Sequence, residues 1–146
     1  MPKIFGTNLL GILVATVVFY LLGFLWYGIV FTEMWLIFND MSAADATAQA
    51  EKLGAMMYVG GIVITLMQVL GLAYVLHHAS ASLLLTCVKI CAIIAVLIAL
   101  PLLMYAHIYE GTSHRAIVLD FVHILIGYIL VGAILSFFRG KDAIGD

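Results

Sequence analysis

The chain has 146 residues, 66% of them hydrophobic and 10% charged, with a mean hydropathy of +1.23 and a formal net charge of −2. Soluble domains carry about 45–50% apolar and about 25% charged residues, so this composition excludes a water-soluble globule and makes the bilayer the solvent. Six Lys and Arg without a basic run exclude a nucleic-acid partner, because phosphate binding needs clustered cations.

Four apolar runs follow one another, Leu9 to Phe31, Leu53 to Leu76, Leu83 to Ala106 and Ala116 to Phe138, each 23 or 24 residues long. About 20 residues cross a hydrocarbon core of about 30 Å, so each run predicts a transmembrane helix. The first is longer than the core of a signal peptide and lacks a small-residue cleavage site, so it reads as a retained span. Between spans one and two, Glu33 to Phe38 reads as an interfacial segment. Ser42-Ala43-Ala44-Asp45 reads as a capping box that starts a short helix near Ala43, which either leads straight into the second span or breaks near Gly54. The links His77 to Ser82 and His107 to Arg115 are short, which makes sequential helices antiparallel neighbours. The fold class is an all-α integral membrane protein, a single four-helix bundle running up-down-up-down with a short interfacial helix.

Lys3, Arg139 and Lys141 flank the termini, and Lys89 can snorkel to the same side. Lys52 and Arg115 fall on the other, so the charge bias places both termini in the cytoplasm. Pro101 removes the N–H that would bond the Leu97 carbonyl and predicts a kink or weakened turn in the third span.

Small and hydrogen-bonding residues mark packing faces in lipid. The second span offers Gly54, Tyr58, Gly61, Thr65, Gln68 and Gly71, the third Cys87, Cys91, Ala95 and Ala99, and the fourth Asp120, His123, Gly127, Val131 and Ile134. The first offers Gly11, Ala15 and Phe19 towards one end and Tyr20, Gly23 and Tyr27 towards the other. Gln68 is expected to face protein, since an unpaired amide in lipid is costly. Cys87 and Cys91 share one helix face, poorly placed for a disulfide and too few to make a metal site.

Asp120 and His123 are the residues that most need an explanation. Ionisable groups at membrane depth face the bundle interior and find a partner, and a spacing of three puts both on one face. His107 and Glu110 repeat the spacing at the end of the third span. Three readings stay open. In one, Asp120 accepts hydrogen bonds from His123, Tyr105 or Arg115 and fixes the last hairpin. In another, Asp120, His123, His107 and Glu110 form a divalent-metal site or a proton relay. In the third, two histidines ligate a haem. No hydrolase, zinc-protease, Walker or dinucleotide motif occurs, which points away from an enzyme.

GFLWYGIVFTEMW (Gly23 to Trp35) and YAHIYEGTSHRAIVLDFVHILIGYILVGAIL (Tyr105 to Leu135) resemble the signature near the first span and the closing hairpin of a family of small membrane proteins, the domain of unknown function (DUF) 1761 group. The matching positions are Trp26, Tyr27, Trp35, Glu110, Gly111, Arg115, Asp120 and His123, while His107 stands where the family often has Asn. The resemblance implies a bacterial-type multi-pass protein of the cell membrane and brings no substrate. Bilayer lipid is the surrounding partner. The glycine-rich faces and the near-absence of soluble mass suggest a structural or accessory subunit that associates with itself or with a larger membrane complex. Gln68, Arg115, Trp26 and Tyr27 serve packing and hydrogen bonding, and no resident cofactor is expected unless the metal or haem reading holds.

Overall fold

The structure, a computed structural model, describes residues 2–139. Among them are four helices long and apolar enough to cross a membrane: Leu9–Val30, Ala55–His78, Leu84–Glu110 and His114–Phe138. The all-α membrane bundle expected from hydropathy is the fold. Each span buries only 22–28% of its most apolar stretch inside the chain, so most of its surface is left for lipid.

A small hairpin precedes the first span. Strands β1 (Lys3–Ile4) and β2 (Thr7–Asn8) pair antiparallel around Phe5 and Gly6, both with positive φ, the geometry that lets a two-residue turn follow the twist of its strands. Asn8 then caps helix α1 (Leu9–Leu25), its side-chain oxygen accepting from the Leu10 N–H at 3.0 Å. The span finishes in a π turn, Trp26–Val30. Helix α2 (Thr32–Phe38) follows, and α3 (Ala43–Leu53) starts at the expected capping box of Ser42 and Asp45. Asp45 is held below the usual carboxylate range by the Ser42 hydroxyl and backbone N–H that donate to it. Of the two courses open to it, the helix takes the break: it ends at Gly54, with φ of 52°, before α4 (Ala55–His78).

The third span combines α5 (Leu84–Ile94), a π turn at Ala95–Ala99 and α6 (Leu100–Glu110). The wide turn lies just ahead of Pro101 and includes Leu97, whose carbonyl Pro101 cannot serve. The weakening expected from that proline therefore takes the form of a π turn. Gly111, left-handed at φ 75°, closes α6, and Ser113 caps α7 (His114–Phe138) by accepting from the Arg115 N–H.

Helices α1 and α7 form the central pair. The third span packs on α7, and α4 packs chiefly on α1. Cys87, Cys91, Ala95 and Ala99 are all buried, as their spacing predicts. Gly132 lets Cys91 approach, since a Cβ there would lie 2.9 Å from its Sγ. Gly127 gives its space to the ring of Phe19 and Gly11 to the side chain of Phe138.

The stripe read on the second span needs correction. Its buried residues are Val69, Leu72, Ala73 and Leu76, whereas Tyr58 is 58% exposed and nothing lies within 4 Å of a Cβ built on Gly71. Thr65, Gln68 and Gly71 are successive steps of three, and each such step falls about 60° short of a full turn. Gly71 has thus rotated off the packing face. Gly61 does face protein, against Tyr20, and Gln68 is half-buried.

Candidate functional site

Tyr27 and Asp120 join the first and last spans. The Tyr27 hydroxyl donates to Asp120 Oδ1 at 2.8 Å, between residues 93 positions apart. Asp120 stands six residues into α7, about 9 Å from its start at 1.5 Å per residue. Tyr27 reaches it from the π turn. In that turn the Phe31 N–H bonds the Trp26 carbonyl at 2.8 Å, and the Thr32 hydroxyl bonds the Tyr27 carbonyl at 2.8 Å. Such turns recur at functional sites because the extra residue re-aims side chains.

His123, one turn deeper, lies in an aromatic box. Its ring centroid is 5.0 Å from Tyr27, 5.6 Å from Phe19 and 5.9 Å from Trp26. Gly23 makes room for it, since a Cβ there would sit 3.4 Å from His123 Nε2. Phe19 is held edge-on by Tyr128 at 6.0 Å. Two nitrogens of the box, His123 Nε2 and Trp26 Nε1, are buried and have no hydrogen-bond partner, and Gln68 Oε1 in the second span is in the same condition. Buried polar atoms without partners are uncommon enough to call for a reason.

The structure separates the four residues that the sequence grouped. Asp120 and His123 share the inner face of α7 as expected. His107 and Glu110 are exposed at the end of the third span. His107 Nδ1 hydrogen-bonds the Thr112 carbonyl, and its ring lies 6.4 Å from that of His114. Asp120 is bonded by Tyr27, not by His123, Tyr105 or Arg115. Tyr105 turns outward and stacks on Tyr109 at 4.4 Å, and Arg115 is exposed. The hairpin partnership fails because the Asp120 face of α7 turns towards α1, not towards the end of α6.

Among the described residues, no group of three or more His, Cys, Asp and Glu is placed to hold a metal ion. A bis-histidine haem would need a second histidine opposite His123, and His77, His78, His107 and His114 are all exposed near the two ends of the bundle. Tyr27 bonds Asp120, whereas Trp26 packs against Phe31 and His123 without a hydrogen bond from its ring nitrogen. Phe19 also forms a wall of the His123 box, and its spacing of four from Gly23 on α1 is the sequence signal for it.

No curated protein and no solved structure matches the chain. A family model described as a protein of unknown function (DUF1761) matches residues 10–136, which include every residue of the Tyr27–Asp120–His123 cluster. The chain therefore belongs to the DUF1761 family of multi-pass membrane proteins.

Proposed function

We propose that the protein is a structural or accessory membrane subunit that binds another transmembrane helix along the outer face of α4. The observation that carries this reading is an open stripe on that helix. Gly60 and Gly71 have nothing within 4 Å of a Cβ position, and Ile64 and Met67 between them are 59% and 67% exposed. These positions share one side of the helix, and small residues allow the close backbone approach that drives association where lipid offers no hydrophobic gain. Asp120 fits the same reading, because its hydrogen bond ties the chain's own helices together.

The test is Gly71→Leu with Gly60→Leu, measured by blue-native migration and by co-purification from native membranes. The double variant should keep its helical circular dichroism and lose a slower-migrating species or a co-purifying membrane protein. A wild-type chain that is a monomer without a partner would refute the proposal.

We infer a bacterial inner-membrane location with both termini in the cytoplasm, supported by Lys3, Lys89, Arg139 and Lys141 on one side against Lys52 and Arg115 on the other. Cysteine labelling of Ser80 and Thr112 in intact cells tests it, since Thr112 alone should react with an impermeant reagent.

A second reading is favoured by the unpartnered His123 Nε2: the aromatic box binds a proton or a small polar molecule within the membrane. In proteoliposomes, His123→Ala should abolish proton flux followed with an internal pH dye. Equal flux through the wild type, the variant and empty vesicles excludes it.

A further inference from the structure

We propose that Arg139 and His77 form a binding site for a phosphate-type oxyanion, occupied by the headgroup phosphate of a phospholipid, at the membrane surface where the first span begins and the fourth ends.

Arg139 follows the last residue of α7 yet is only 6% exposed. Its side chain runs under the N-terminal hairpin. There Nη1 donates to Thr7 Oγ1 at 3.2 Å, to the Phe5 carbonyl at 3.3 Å and to the Ala73 carbonyl at 3.5 Å. The other edge of the guanidinium, Nε and Nη2, is buried and has no hydrogen-bond partner. Those two N–H groups point in parallel and match two oxygens of one carboxylate or phosphate, the arrangement in which arginine recognises oxyanions most strongly. One edge thus anchors the hairpin, and the unused edge is the one shaped for an anion.

Gly6 brackets the position. A Cβ there would lie 3.0 Å from His77 Nδ1 and 3.7 Å from Arg139 Nη2, so the glycine lets the turn lie close against two nitrogen-bearing side chains, one from the end of α4 and one just past α7. The Phe5–Gly6 turn lies beside Nη2, so an anion on that edge requires the turn to move aside. Its outer side is held by Phe5 packing edge-on against Tyr74 at 5.2 Å.

The described chain supplies no counter-ion on this side. Its acidic residues are Glu33, Asp40, Asp45, Glu51, Glu110 and Asp120, five in the connections at the opposite surface and the sixth bonded to Tyr27 near that surface. Depth argues for the lipid source. The 25 residues of α7 extend about 37 Å against a hydrocarbon core of about 30 Å. Arg139 therefore emerges in the headgroup layer, where phospholipid phosphate is the prevailing anion.

Native mass spectrometry of the full chain in detergent, with phosphatidylglycerol or headgroup-free diacylglycerol added, tests the proposal. The wild type should retain phosphatidylglycerol over diacylglycerol, and Arg139→Lys, which keeps charge but loses the fork, should weaken retention roughly tenfold. His77→Ala should weaken it several-fold, and it decides the matter alone if Arg139→Lys does not fold. Stabilisation of the lipid-free wild type by inorganic phosphate, lost in Arg139→Lys, without selective lipid retention would keep the oxyanion site and assign it to free phosphate. Equal retention in folded Arg139→Lys and the wild type overturns the proposal. So does equal binding of both lipids without a phosphate effect. A gain in lipid binding on replacing Asp142 and Asp146 by Asn would also overturn it, by making the chain's own carboxylates the occupants.

Discussion

Tyr27→Phe removes one hydroxyl from the bundle and leaves the ring that packs on His123 and Trp35. The bond lost is 2.8 Å long and joins the two central spans. Interhelical hydrogen bonds in membranes contribute about 0.6 kcal/mol on average and up to about 1.7 kcal/mol. A half-buried acceptor left without its donor adds a desolvation cost of about 1–3 kcal/mol when the loss is complete. The Asp120 carboxylate accepts no other hydrogen bond among the described residues, so the variant should lose about 1–3 kcal/mol, roughly 5- to 150-fold in the unfolding equilibrium. Reversible unfolding in mixed micelles, followed by near-ultraviolet circular dichroism, measures this directly. A double-mutant cycle with Asp120→Leu isolates the pair, because Tyr27→Phe should have little effect once the acceptor is gone. If Tyr27→Phe were as destabilising in the Asp120→Leu background as in the wild type, the hydroxyl would be acting elsewhere and the lock would be refuted.

Two further outcomes follow from local geometry. Gly127→Ala places a methyl group in the Phe19 ring, so it should destabilise by about 1–3 kcal/mol, and Phe19→Leu should restore part of the loss; thermal unfolding without a shift would contradict that packing. The capping box gives a pH dependence whose sign is fixed. The Asp45 carboxyl lies below its unfolded value, so its stabilisation of α3 is complete above the usual carboxylate range and disappears as pH falls through the folded value. Amide exchange at Asp45, corrected for its intrinsic rate, should accelerate on that acidification, whereas Ser42→Ala should be fast throughout; protection independent of both would disprove the cap.

The fold was legible because its main signal is one-dimensional. A run of apolar residues long enough to cross a bilayer has little alternative to a helix, and the cap at Ser42 and the break at Gly54 are local chemistry. Asp120 and His123 stood out for a similar reason, since any ionisable group in such a run is conspicuous. Their partners did not, because proximity in sequence suggested His107 and Arg115, whereas α7 turns its polar face towards the first span. Gly71 left the second-span stripe through accumulated rotation over steps of three, which a list of small residues conceals. Arg139 was visible only as a flanking charge. Its burial depends on a hairpin of six residues folding back over the end of α7, a contact without hydrophobic periodicity.

The pairing of the first and last spans has a consequence for the order of assembly. Tyr27 leaves the ribosome 93 residues before Asp120, which at synthesis rates of about 5–20 residues per second is about 5–20 s. Throughout that interval α1 sits in the membrane with its central partner unmade and α4 as its main neighbouring span. The bundle cannot close progressively from its N-terminus; it closes when α7 arrives and slots between α1 and the third span. A chaperone or insertase that shields the Tyr27 face during synthesis would thus act on a surface that vanishes from the finished protein.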